Sequence, residues 1–128
     1  MAAKVFFIRT GDNEPVDGIS AKLRRLIDAS NVLAPFGTNG FVAIKTHFGD
    51  VGNTGHIRWE WVREAALMLA KRTPNAFVAD ANVIYKMGRR ANSVEHLRLA
   101  DEHGFNIGNL GVPVLIADGL KGMNYDEV

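Results

Sequence analysis

The stretch FVADANVIYKMGRR, residues 77–90, begins as a buried apolar strand and turns at once into Asp80, Asn82, Tyr85, Lys86, Arg89 and Arg90. What flanks it decides the fold. On the amino-terminal side, Val62, Ala65, Ala66 and Leu69 recur at i, i+3, i+4 and i+7 in a helix that starts near Arg58 and stops at RTPN. On the carboxyl-terminal side, Asn92 to Glu95 reads as a capping-box variant. The helix it opens is expected to bury Val94, Leu97 and Ala100, and to end at a left-handed Gly104 with Phe105 as its apolar contact.

Further out, FVAIKT (41–46) and VPVLIAD (112–118) read as strands. Val5–Ile8, apolar with a β-branched residue at each end, reads as another strand. It leads to a helix in which Ile19, Leu23, Leu26 and Ile27 share a face, Lys22, Arg24 and Arg25 point outward, and Asp17 or Ser20 is the candidate cap. Strand and helix therefore alternate. That order predicts an α/β fold, a three-layer α/β/α arrangement with a mainly parallel sheet of about four strands. The later strands are near-continuous apolar runs, as strands covered on both faces require.

After the last strand only GLKGMNYDEV remains, with no helix to cover it. The expectation is one α/β domain over residues 1–128, incomplete at its carboxyl end: the amino-terminal part of a longer protein, or a fold completed by a partner subunit.

Composition bounds the function. Hydrophobic residues make up 47% and charged residues 23% of the chain, the balance of a folded globular protein. A formal net charge of +1 argues against a purely electrostatic grip on nucleic acid. There is no cysteine, so the chain has no disulfide, thiolate zinc site or cysteine-held cluster of its own, which fits a cytoplasmic location. The apolar start is too short for a signal peptide, and no apolar run is long enough to span a bilayer.

In open parallel sheets, ligands bind beyond the carboxyl ends of the strands. Here those ends carry Lys45 and His47, then Asp80 and Asn82, then Asp118. Lys45 and His47 are two apart and share a face of an extended chain. The set can be an ion-paired cluster, an anion site or an acid–base site, because histidine titrates near neutrality. VIYKMGRR adds Lys86 and Arg89 as phosphate or carboxylate partners, or as ordinary surface cations.

Other motifs are missing. GDVGNTG is glycine-rich before a helix, yet it is neither a Walker loop nor GxGxxG. No HExxH or GxSxG occurs. His96 and His103 are about two turns apart on one helix, too far for a single ion. No metal ligand set and no catalytic residue is assigned.

VAIKTHFGDVGNTGHIRWEWVREA, FVADANVIYKMGRRANSVEHLRLADEHGF and GVPVLIADGLKG resemble the amino-terminal part of the domain-of-unknown-function 362 family, often described as uncharacterised iron–sulfur centre proteins. The motifs that carry the likeness are Lys45-x-His47-Phe48-Gly49, Asn53-Thr54, Asp80-x-Asn82, Tyr85-Lys86-x-Gly88-Arg89 and Ala117-Asp118-Gly119. One departure is Trp59, where relatives often have proline. The resemblance implies a redox association, with a 4Fe–4S cluster only in a carboxyl-terminal module absent from this chain. The combined expectation is a small anionic molecule at Lys45, His47, Asp80, Asn82, Lys86, Arg89 and Asp118. Its rival is a non-catalytic interaction or assembly module.

Overall fold

The computed structural model describes residues 4–85 and 87–126. In chain order the elements are α1 (Val16–Ser30), β1 (Val42–Lys45), α2 (Trp59–Ala70), β2 (Ala76–Asp80), α3 (Ser93–Glu102), α4 (Ile107–Leu110) and β3 (Val114–Ile116). The strands pair in parallel in the order β1-β2-β3, with Val42 opposite Ala76 and Val78 opposite Val114. The chain is an α/β protein with an open parallel sheet, as the alternation predicts.

Two details differ from expectation. The sheet has three strands among the described residues, not about four. Val5–Ile8 forms no strand: Val5 and Phe7 are 84% and 82% exposed, with Phe6 and Ile8 half-buried. An apolar run becomes a strand only where a neighbouring ladder takes up its backbone groups, and none does so here. The helices that pack on the sheet, α2, α3 and α4, also meet a single face of it. Strands laid down in one direction with right-handed crossovers put every crossover helix on the same face. That face carries Val42, Ile44, Ala76, Val78, Val114 and Ile116, and it packs with Val62, Ala66, Leu69, Ala100 and Phe105. On the other face Ala43, Lys45 and Leu115 are exposed.

Helix α1 follows Pro15 and has no side-chain cap, so neither Asp17 nor Ser20 serves as one. It packs on α2, where Arg24 pairs with Glu64 at 2.5 Å. Helix α2 buries Val62, Ala66 and Leu69, the expected stripe.

Helix α3 corrects the sequence reading. Its buried residues are Ser93, His96, Leu99 and Ala100, while Val94 and Leu97 are 52% and 39% exposed. Two polar side chains occupy core positions because they reach polar partners at the strand ends, and an apolar-only pattern cannot see them. The ends of α3 are as expected. Asn92 accepts from the Val94 and Glu95 amides, both at 3.1 Å, although Glu95 pairs with Arg98 rather than completing a capping box. The Phe105 amide donates to the Ala100 carbonyl and the Gly104 amide to Asp101, closing the helix around Gly104 at φ +86°. Asn92→Ala is expected to cost about 1 kcal/mol, read from a urea midpoint. An unchanged midpoint would mean that the cap carries no stability.

Among the described residues, no helix is long and apolar enough to cross a membrane.

Candidate functional site

Because all three strands are parallel, Lys45, Asp80 and Ile116 end on one rim of the sheet. Strand order never reverses among the described residues, so the site lies on the rim itself and not in a crevice between oppositely wound halves.

Asp80 is the centre of the rim. Its side chain is 2% exposed and both oxygens are engaged. Oδ1 accepts from the Ala81 amide at 2.9 Å and faces Lys45 Nζ at 3.1 Å. Oδ2 accepts from the Phe48 amide at 3.1 Å, faces Arg90 Nη2 at 3.4 Å and faces His96 Nε2 at 3.3 Å. Burial alone would raise its pKa. Hydrogen bonds from His96, the Ala81 and Phe48 amides and Lys45 outweigh burial and hold it well below the usual carboxylate range. A carboxylate so committed is an anchor that orients cations and cannot serve as a proton acceptor near neutrality.

His47 sits at the mouth, exposed. Its Nδ1 accepts from the Gly49 amide at 2.8 Å, and its Nε2 lies 2.7 Å from Arg90 Nη1. Partial desolvation of the ring first, then Arg90, pushes its pKa below the ordinary histidine value, with Asp80 pulling the other way. Arg90 is 9% exposed and bridges His47 to Asp80. Behind it, His96 is fully buried, with Nε2 3.3 Å from Arg90 Nε and an Nδ1 that has no hydrogen-bond partner. Lys45, with its side chain 67% exposed, stands on the solvent side.

Asn82 and Asp118 form an adjoining cluster. The Asn82 backbone amide donates to both Asp118 oxygens at 3.0 Å, and its side-chain amide reaches Asp118 Oδ1, Ser93 Oγ and the Gly119 carbonyl. These bonds tie the end of β2 to the end of β3. Asn82 Oδ1 is buried without a partner.

Of the residues expected at the site, Lys45, His47 and Asp80 come together, and Asn82 and Asp118 adjoin them. Arg89 is turned toward α3, where it pairs with Glu102 at 2.6 Å and Glu95 at 3.5 Å. Lys86 lies outside the described residues. Sequence reasoning missed Arg90 and His96. The available signal was His96 at core spacing from Ser93 and Ala100, a polar residue where the helix faces the sheet.

The residues do not fit an iron–sulfur cluster. The chain has no cysteine, and among the described residues no group of three or more His, Cys, Asp or Glu is placed to hold a metal ion.

No curated protein and no solved structure matches the chain. A family model described as a domain of unknown function, DUF362, matches residues 42–128. This span holds the whole sheet, the rim and both clusters, and the chain belongs to the DUF362 family.

Proposed function

We propose that the rim binds a small oxyanion, a carboxylate or phosphate group, held by Arg90, His47 and Lys45. One observation carries the reading. The Gly49 amide donates to His47 Nδ1, so a neutral ring must carry its proton on Nε2. That proton then faces Arg90 Nη1 across 2.7 Å. A guanidinium has no acceptor to offer, so two donors confront each other. An oxyanion seated beside the pair, with the two donors drawn apart, accepts from both and removes the conflict. The charge count supports the same ligand: two basic side chains, Lys45 and Arg90, face the single carboxylate of Asp80. Arg is also the side chain best shaped for a carboxylate or phosphate.

A redox role, which the family resemblance implies, would need its iron–sulfur cluster on another chain or segment, because this chain has no cysteine. The rim would then place the molecule to be reduced or oxidised.

The four histidines make the test simple, since each gives one ring Cε1–H signal by proton NMR. Titration with inorganic phosphate or malonate is expected to move the His47 signal to saturation. Lys45→Gln, at an exposed position, is expected to weaken binding about tenfold or more with no change in fold. A His47 signal that stays still, or that saturates identically in Lys45→Gln, would refute the reading.

A further inference from the structure

On the other side of Phe48 and Gly49 from the rim, two more histidines meet. His56 comes from the loop before α2 and His103 from the end of α3. Their rings stack, with centroids 4.6 Å apart and planes inclined by 16°. The stack forms over Gly49. A Cβ there would lie 2.6 Å from His103 Nδ1 and 2.8 Å from His56 Nδ1, so only glycine, at φ +91°, leaves room. Each Nδ1 is tied to a carbonyl oxygen: His103 to Phe48 at 2.8 Å and His56 to Asn53 at 3.0 Å. A carbonyl only accepts, so both Nδ1 atoms carry hydrogen and both Nε2 atoms are left over. Among the described residues no hydrogen bond reaches either Nε2. The two rings line one cleft of about 450 Å³, together with Asn53, Thr54, Arg58 and Glu60.

We infer that His56 and His103 form a second oxyanion subsite, separate from the rim, that takes up protons as it fills. In a neutral ring of this tautomer, Nε2 is a bare lone pair that would repel an anion. A proton taken from solvent onto Nε2 turns it into a charged donor, and two such donors beside Arg58 suit a phosphate or carboxylate. The carboxylates nearby are already committed. Glu60 pairs with Arg58 at 3.5 Å, and Glu102, whose charge is felt at His103, pairs with Arg89 at 2.6 Å. Both carboxylates are already paired with arginines, so neither is free to neutralise a protonated stack, and two adjacent like charges repel until an anion arrives. Stacking also disfavours a metal. A metal bound by both rings must lie in both ring planes, and planes this close to parallel share no point near the two Nε2 atoms.

The test is calorimetry of the whole chain with inorganic phosphate and, separately, malonate, each in two buffers of different ionisation enthalpy, alongside the histidine NMR signals. Net proton uptake is expected on binding, with the His56 and His103 signals moving together. Binding of both probes identifies a general oxyanion subsite, and binding of phosphate alone narrows it to phosphate. His103→Phe keeps a flat ring over Gly49 and is expected to abolish the uptake and weaken this site about tenfold or more, leaving the His47 response in place. Arg58→Gln, which leaves both rings intact, is expected to weaken binding while uptake persists. Probes that move only His47, binding without proton uptake, or perturbation of the pair by Zn²⁺ but by neither anion would each overturn the inference.

Discussion

Asp80→Ala is expected to lower the unfolding free energy by roughly 3–5 kcal/mol, the usual result of removing one partner of a buried ion pair. The loss comes from what is left behind. Arg90, 9% exposed, keeps its charge but loses its carboxylate, and the Phe48 and Ala81 amides lose their acceptor. Urea unfolding followed by circular dichroism and by tryptophan fluorescence measures it. A midpoint within about 0.5 kcal/mol of the parent would mean that the rim does not depend on Asp80. The pH dependence gives a second reading. The folded pKa of Asp80 lies below its ordinary 3.8, so its stabilisation is full above 3.8 and fades as pH falls through the folded value. Asp80→Ala should lack this acid loss. The folded pKa of His47 lies below its ordinary 6.5, so its own effect is a loss of stability as pH falls from 6.5, and that loss should persist in the variant.

Phe48→Ala should be comparably severe, roughly 3–5 kcal/mol. The ring is fully buried, 4.9 Å from Phe105 and edge-on to His96 at 5.9 Å, centroid to centroid. Its peptide group works as well: the amide donates to Asp80 and the carbonyl accepts from His103. Collapse into the space left by the ring should therefore disturb the rim and the histidine stack together, visible as shifts of all four histidine signals. Phe48→Leu should recover much of the stability by refilling most of the volume. A loss below about 1 kcal/mol for Phe48→Ala would show that the ring is not packed as described.

The rim was legible because a parallel sheet turns sequence position into spatial position. Lys45, Asp80 and Asp118 each follow an apolar run, and parallel pairing brings such ends to one edge. The ends of α3 were equally legible, since Asn92 and Gly104 act locally. Features that depend on a distant partner were not. Val5–Ile8 has the composition of a strand, but composition does not supply a ladder. The buried face of α3 was misread because Ser93 and His96 are polar, and only the Asp80 and Asn82 groups across the core explain why they point inward. Arg89 and Arg90 are adjacent and alike in sequence. Which of them enters the site is decided by Glu102 and Asp80, one on each side of the loop.

The strand order β1-β2-β3 repeats the order of the chain. No strand has to be threaded between two that are already joined. As the polypeptide leaves the ribosome, each new strand can add to the one made before it, and the helix between them can settle at the same step. Synthesis and assembly then run in the same direction, although each parallel pairing joins residues far apart in the chain, such as Val42 with Ala76, and contacts of that kind slow folding.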